Sequence, residues 1–314
     1  MPHDHSHDHG GHSHHHHAPA DMGRAFAIGV GLNLAFVLAE AGAGLWSGSL
    51  ALLADAGHNL SDVLALLLAW GAVALGRRAP TARRTYGLRK ATILASLTNA
   101  ILLMLAVGAI VSESIQRFAQ PAAVSTNIVM LTAGLGIVIN TATALMFMRG
   151  SKGDLNARGA FLHMASDAAV SLAVVLGAGV IALTGMQWID PALSLGIAAV
   201  IVLGTWGLLR DSMDLALDAA PRGVDVGKVR DWLCGLPGVE EIHDLHIWAM
   251  STTETALTVH IIRPAARLES GAESDHFLHA ACEGLAARFN IGHATLQVET
   301  DASHVCKLAP AEVV

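Results

Sequence analysis

Residues 50–75 read LALLADAGHNLSDVLALLLAWGAVAL. A predominantly apolar run of this length matches the roughly 20 residues that a helix needs to cross a bilayer. Yet the run carries Asp55, His58 and Asp62. An ionisable side chain at the centre of a span costs about 2.5–3.5 kcal/mol on insertion scales, and where one is retained it usually marks function. His58 and Asp62 stand four residues apart and so share one helical face.

Working outward, five further apolar stretches complete a set of six spans: Ala25–Leu45, Ala91–Ile115, Ile128–Phe147, Ala160–Leu183 and Ala192–Leu209, with Leu50–Leu75 as the second. The 314 residues are 53% hydrophobic and 14% charged, against about 25% charged in soluble domains. That excludes a single soluble domain and excludes disorder. A net charge of -7 argues against nucleic acid as a partner. Cys234, Cys282 and Cys306 are odd in number and lack CxxC spacing, which fits neither a disulfide framework nor a cysteine zinc knuckle.

Charge sets the orientation. Arg77, Arg78, Arg83, Arg84, Arg89 and Lys90 crowd the join between spans two and three, and Arg149, Lys152 and Arg158 the join between spans four and five. The opposite joins are nearly bare of Lys and Arg. Cytoplasmic loops concentrate these residues, so both termini are expected in the cytoplasm.

Three segments follow: a His-rich cytoplasmic tail (1–22), a six-helix transmembrane domain (23–210) and a small domain (211–314). The first segment holds nine histidines, at 3, 5, 7, 9, 12 and 14–17. Such tracts bind Zn²⁺, Ni²⁺ or Cu²⁺ loosely. In the last segment Val226–Leu236 and Asp275–Phe289 read as helices. Val239–Met250, Ala256–Ile262 and Ala294–Glu299 read as strands. The order αββαβ predicts an α+β, ferredoxin-like unit with helices on one sheet face. Sixteen acids against seven bases make this segment strongly acidic, which suits cations.

Span five repeats the pattern of span two with His163 and Asp167. The two spans run in opposite directions, and both pairs enter at middle depth, so their faces can meet near the midplane. Two imidazoles and two carboxylates suit tetrahedral Zn²⁺. Ca²⁺ and Mg²⁺ take oxygen ligands, and Cu(I) favours Cys or Met. Two polar pairs can instead glue helices together, but two copies of H-x-x-x-D in one chain are hard to obtain as glue. HExxH is absent, so an intramembrane zinc protease lacks its base. The chain reads as no enzyme. Binding metal requires neutral imidazole and ionised carboxylate, so it releases protons. A histidine pKa near 6.5 lets a modest change of surroundings reverse the preference.

The strings GSLALLADAGHNLSD (48–62), TYGLRKATILASLTNA (85–100) and DLNARGAFLHMASDAAVS (154–171) closely resemble the cation diffusion facilitator transporters. HxxxD on both spans resembles the zinc-preferring branch of bacterial zinc/cadmium/cobalt exporters. An Asp in place of His58 would resemble members with a broader metal choice. The resemblance implies a homodimer in a bacterial inner membrane that exports a divalent cation in exchange for protons. Zn²⁺ would be carried at His58, Asp62, His163 and Asp167. Export of Co²⁺, Cd²⁺ or Ni²⁺ by the same route, or a non-transporting metal sensor, are the alternatives.

By the same resemblance HDLHIW, LTVH and LQVE place His243, His260 and Glu299 at a regulatory metal site in the small domain, Glu299 standing where other members carry His or Asp. His246 falls on the opposite strand face by simple alternation, and His276 and His279 are helical alternatives. Lys90 and Asp214 match a charge interlock at the cytoplasmic end of the spans. The GRRAPTARRTYG join (76–87) lacks the His and Asp of a further site that some members carry. Asp55 lies on the His58 face toward the outside, where a proton-path role and a structural hydrogen bond both fit. Glu40 and Asn33 in span one read as structural, and His304 with Cys306 as tail residues.

Overall fold

The structure, a computed structural model, describes residues 22–76, 78–148, 155–264 and 271–300. The N-terminal histidine tract, Arg149 and Lys152, and the His304/Cys306 pair lie outside the described residues. Six long helices come first: α1 (Met22–Ser47), α2 (Leu50–Gly76), α3 (Ala91–Ala119), α4 (Thr126–Met148), α5 (Leu155–Thr184) and α6 (Ile189–Ala216). Each extends past the apolar window that announced it, because polar ends continue the helix beyond the hydrocarbon. α3 to α6 are each long and apolar enough to cross a membrane. Their outward faces carry large exposed side chains such as Leu105, Leu131, Leu183 and Leu203, which a bilayer rather than water accommodates.

The helices form an α-helical membrane bundle in which α2 is central, touching α1, α3, α5 and α6, while α4 packs along α5. Gly48 turns the chain from α1 into α2 at φ +71, a left-handed conformation that glycine adopts without a steric penalty. Gly177 lets α5 and α6 approach closely: a Cβ there would stand 2.0 Å from Leu193 Cδ1. The tightest packing lies away from the chain's C-terminal domain. There Ala51, Leu52, Val107, Val129, Val174 and Ala198 form a buried core.

That far end is also pinned by a polar cap. Asp190, in the first turn of α6, is 3% exposed. Ser49 Oγ donates to its Oδ1 at 2.5 Å and the Leu50 amide to its Oδ2 at 2.8 Å. The first amides of a helix have no partner within it, and α6 supplies one to α2 along with a negative charge that suits a helix N-terminus.

The C-terminal domain runs α7 (Val226–Cys234), β1 (Glu241–Ala249), β2 (Thr255–Ile262), α8 (Gly271–Phe289) and β3 (Ile291–Glu299). This is the αββαβ order expected. β1 pairs antiparallel with β2, and β2 parallel with β3, in the order β1-β2-β3. Val229, Leu233, Phe277 and Leu285 of the helices close the core against Ile247, Leu257, Val259 and Ile261 of the sheet. Asp225 caps α7, accepting from the Lys228 amide at 3.2 Å. That backbone hydrogen bond holds its carboxyl below the usual carboxylate range.

Some bounds and pairings differ from the sequence reading: α7 ends at Cys234, and α8 and β3 begin earlier, at Gly271 and Ile291. The domain join expected at 210 falls inside α6, which continues to Ala216. Lys90 pairs with Asp218 at 2.5 Å, not with Asp214, which faces Arg210 on its own helix at 3.9 Å. Asp218 follows the end of α6 and takes φ 62; that turn redirects the chain and brings its carboxylate to Lys90.

Candidate metal centres

The first centre assembles from α2 and α5. His58 Nε2 lies 3.6 Å from Asp167 Oδ1 and 3.9 Å from Asp62 Oδ2. His163 Nε2 lies 3.1 Å from Asp62 Oδ2 and 3.7 Å from Asp167 Oδ2. Each carboxylate thus faces both imidazoles, and the rings meet edge-on with centroids 6.0 Å apart. His58, His163 and Asp167 hold ligand atoms within 4.8 Å of one another, and Asp62 completes the ring. The i, i+4 spacing sets each pair on one face, and the antiparallel run of α2 and α5 makes those faces meet.

These four side chains line a cavity of about 370 Å³. Its other walls include Ser61, Asn99, Gly204 and Leu208; Ser61 and Asn99 hydrogen-bond each other. From the ligands the wall follows α2 to Ala65 and α6 to Leu208, toward the helix ends that carry the C-terminal domain. Asp167 at the inner wall is 3% exposed while His163 is exposed. In the opposite direction the way is filled. Leu52, Asp55, Ser171 and Glu40 are fully buried and Val174 nearly so.

Above the ligands sits a second polar group that the sequence did not connect. Ser171 Oγ donates to Asp55 Oδ2 at 3.0 Å, and Asn59 Nδ2 donates to Glu40 Oε2 at 3.1 Å. Asp55 Oδ1 and Glu40 Oε1 are buried without a hydrogen-bond partner. A structural hydrogen bond, one of the two readings for Asp55, is therefore present, to α5, and its carboxyl also lies beside that of Glu40. Asn33 is exposed.

The second centre lies on the sheet. His260 Nδ1 is 2.8 Å from Glu299 Oε1, His243 Nε2 is 3.5 Å from the same oxygen, and the two rings are 5.1 Å apart. Their ligand atoms cluster within 4.8 Å. Burial pushes the Glu299 carboxyl up, but the His260 hydrogen bond and the charge of His243 outweigh it and hold the group below the usual carboxylate range. His243 Nε2 is buried with no hydrogen bond, so the donor set fits a cation that would satisfy it.

Simple alternation fails next to this centre. β1 pairs His243 with His260 but His246 with Thr258, so Asp244 and Leu245 on one strand oppose Val259 alone on the other. This β-bulge is made by Asp244 at φ 50 and restores His246 to the His243 face. Asp244 consequently bridges His246 at 2.7 Å and His260 at 3.6 Å. Asp244 was not among the expected ligands, and no periodicity signal marks a bulge. His279 instead pairs with Glu283 on the exposed face of α8, and His276 is also exposed there.

Residues 26–215 match the cation efflux transmembrane domain, and residues 221–301 match the cation efflux protein cytoplasmic domain. The chain belongs to the cation efflux family. Among its relatives is the metal cation efflux system protein CzcD of Cupriavidus metallidurans, 35% identical over 88% of this chain and 84% of that protein. The zinc transporter ZitB of Escherichia coli is 35% identical over 85% and 84%. The cadmium, cobalt and zinc/H(+)-K(+) antiporter of Bacillus subtilis is 34% identical over 85% of each. As a cation efflux protein the chain is a multi-pass membrane transporter and not an enzyme.

Proposed function

We propose that this chain exports Zn²⁺ from the cytoplasm in exchange for protons, by alternating access at His58, Asp62, His163 and Asp167. The observation that carries the reading is the meeting of two imidazoles and two carboxylates in a cavity whose lining runs from them along α2 and α6 toward the helix ends that carry the cytoplasmic domain. A four-coordinate N/O set suits Zn²⁺, and a site inside the bundle serves transport rather than sensing. The sealed opposite side supports an inward-open state, ready to load metal. Protons that must leave the ligands on loading are the protons whose return unloads them.

The homodimer, the bacterial inner membrane and cytoplasmic termini belong to the same reading. The Arg-rich α2–α3 connection lies at the same end as the cytoplasmic domain, in keeping with the charge rule. Asp55, fully buried between the ligands and the closed side, is the relay through which protons reach them, and His243, His260 and Glu299 hold a regulatory Zn²⁺. That ion would stiffen the sheet and the dimer it presents. Cd²⁺ and Co²⁺ are further substrates on the strength of the relatives' names.

The test is metal-by-metal exchange in proteoliposomes with an imposed pH gradient. Zn²⁺ should move at the highest rate, and collapsing the gradient should stop it. Metal movement that ignores the gradient sinks proton coupling, and binding without movement leaves a sensor. An Asp55→Asn variant keeps an acceptor for Ser171; it should still bind Zn²⁺ yet lose most gradient-driven exchange. An unchanged pH profile would reduce Asp55 to a hydrogen-bond partner.

His243→Ala should lower the number of Zn²⁺ ions bound per protomer by one while leaving exchange at the membrane site in place. Unchanged stoichiometry by metal analysis would remove the regulatory site.

A further inference from the structure

A second large cavity, about 410 Å³, lies outside both metal centres. It is walled by the α2–α3 connection from Arg83 to Lys90, by the first turn of α3, and by Trp248 and Met250 of the cytoplasmic domain. Four of its lining residues are cationic: Arg83, Arg84, Arg89 and Lys90. Two of these are spoken for, since Arg89 pairs with Glu254 at 2.7 Å and Lys90 with Asp218. Arg83 and Arg84 are exposed. Among the described residues no carboxylate comes within 4.0 Å of either guanidinium. The general excess of Arg and Lys on cytoplasmic joins accounts for the charges. It does not account for their gathering around a concave space beside apolar Leu88 and Leu94.

We propose that this cavity binds a phosphate-bearing anion, and that its source is an anionic glycerophospholipid of the cytoplasmic leaflet. Two uncompensated guanidiniums attract a phosphate diester, which carries one negative charge, and suit its two free oxygens in forked hydrogen-bond geometry. Leu94, one turn into α3, is 56% exposed, which offers the acyl side of a lipid an apolar contact that a free anion would not use. The position favours a lipid too. The cavity adjoins the cytoplasmic domain at the first turn of an apolar span, the level at which headgroups lie and basic residues recruit them.

Occupancy would bear on how the two domains are held. The connection and the first turn of α3, which wall the cavity, also carry links to the cytoplasmic domain. These are Arg89 to Glu254, Lys90 to Asp218, the Thr252 amide to Thr92 Oγ1 at 3.1 Å, and the Tyr86 ring against His293 at 5.5 Å. A headgroup on Arg83 and Arg84 would neutralise the repulsion within this cationic cluster and brace the docking. The proposal rests on the membrane placement of α3 and not on which metal is moved, so its test reads lipid and not transport.

The full chain is reconstituted in equal parts of phosphatidylcholine and phosphatidylglycerol, or in phosphatidylcholine alone, re-extracted, and its retained lipid identified by native mass spectrometry. Phosphatidylglycerol should be retained selectively, and R83Q/R84Q should weaken retention about 30-fold, the effect of two interfacial charges. R83K/R84K should recover part of it. Zn²⁺ binding by R83Q/R84Q certifies that the variant is folded; if it does not fold, the wild-type arms decide. Equal retention of both lipids, or equal phosphatidylglycerol on the wild type and a folded R83Q/R84Q, overturns the proposal. Displacement of the lipid by inorganic phosphate makes the ligand a soluble anion and overturns the lipid source.

Discussion

Asp62→Ala is expected to bring zinc exchange to the background of empty liposomes while leaving the bundle assembled. Asp62 Oδ2 faces both imidazoles, at 3.1 Å from His163 and 3.9 Å from His58, so it joins the ligands of α2 to those of α5. Loss of a residue that merely orients a metal ligand costs about 10–100-fold in affinity or activity, and loss of a ligand should cost at least the upper figure. Stability should change little, because Asp62 is 35% exposed on its side chain and its removal strands no buried donor. Zinc-sensitive dye trapped in proteoliposomes measures the exchange, and calorimetry on the same sample measures binding. Undiminished uptake would refute the site. Asp62→Asn keeps the shape and removes the charge; its failure would show that the carboxylate's charge is what holds the ion. His58→Asp exchanges an imidazole for an oxygen donor, and should weaken the preference for Zn²⁺ over harder or larger ions.

The meeting of His58, Asp62, His163 and Asp167 was legible in the sequence because both pairs obey one rule, helical spacing within an apolar run. The order αββαβ was legible for a similar reason, since each element carries its own period. Where a residue's neighbour is fixed by a break in the period, sequence reading fails. Asp244 and His246 joined the sheet cluster only through the bulge, and a bulge shifts every later side chain on the strand by one position. Lys90 found Asp218 and not Asp214 because the partner lies past the end of α6, in a left-handed turn that helical spacing cannot locate. The Glu40–Asn59 and Asp55–Ser171 bonds tie α1 and α5 to α2. Such bonds depend on how helices rotate about their axes when packed, which no single span specifies.

Asp190 is the strongest instance of a contact invisible in the sequence, and removing it should destabilise the bundle more than any other single change considered above. Read along α6 it is an ordinary acid near a helix start. In the structure it is the acceptor for Ser49 Oγ and for the Leu50 amide, and it lies 4.0 Å from Arg117 Nη1. Arg117 also donates to the Gly48 carbonyl, so α1, α2, α3 and α6 are tied at one point. Asp190→Ala would leave a fully buried hydroxyl and a helix amide without their acceptor and would take a buried opposite charge from Arg117, which keeps Glu113 and the Gly48 carbonyl. Breaking a buried charge pair by removing one partner costs about 3–5 kcal/mol. Asp190→Asn retains an acceptor and should cost less, and Ser49→Ala, which removes the bond to Asp190 and the one that Ser49 accepts from the Leu52 amide, should cost about 2 kcal/mol. Thermal unfolding in detergent gives the order: a melting temperature for Asp190→Ala equal to that of Ser49→Ala would contradict it. The consequence for transport follows from where α2 goes next. Asp190 fixes the start of the helix whose following turns present Asp55, His58 and Asp62, so Asp190→Ala should lose zinc exchange on warming well before the wild type, while binding Zn²⁺ at low temperature.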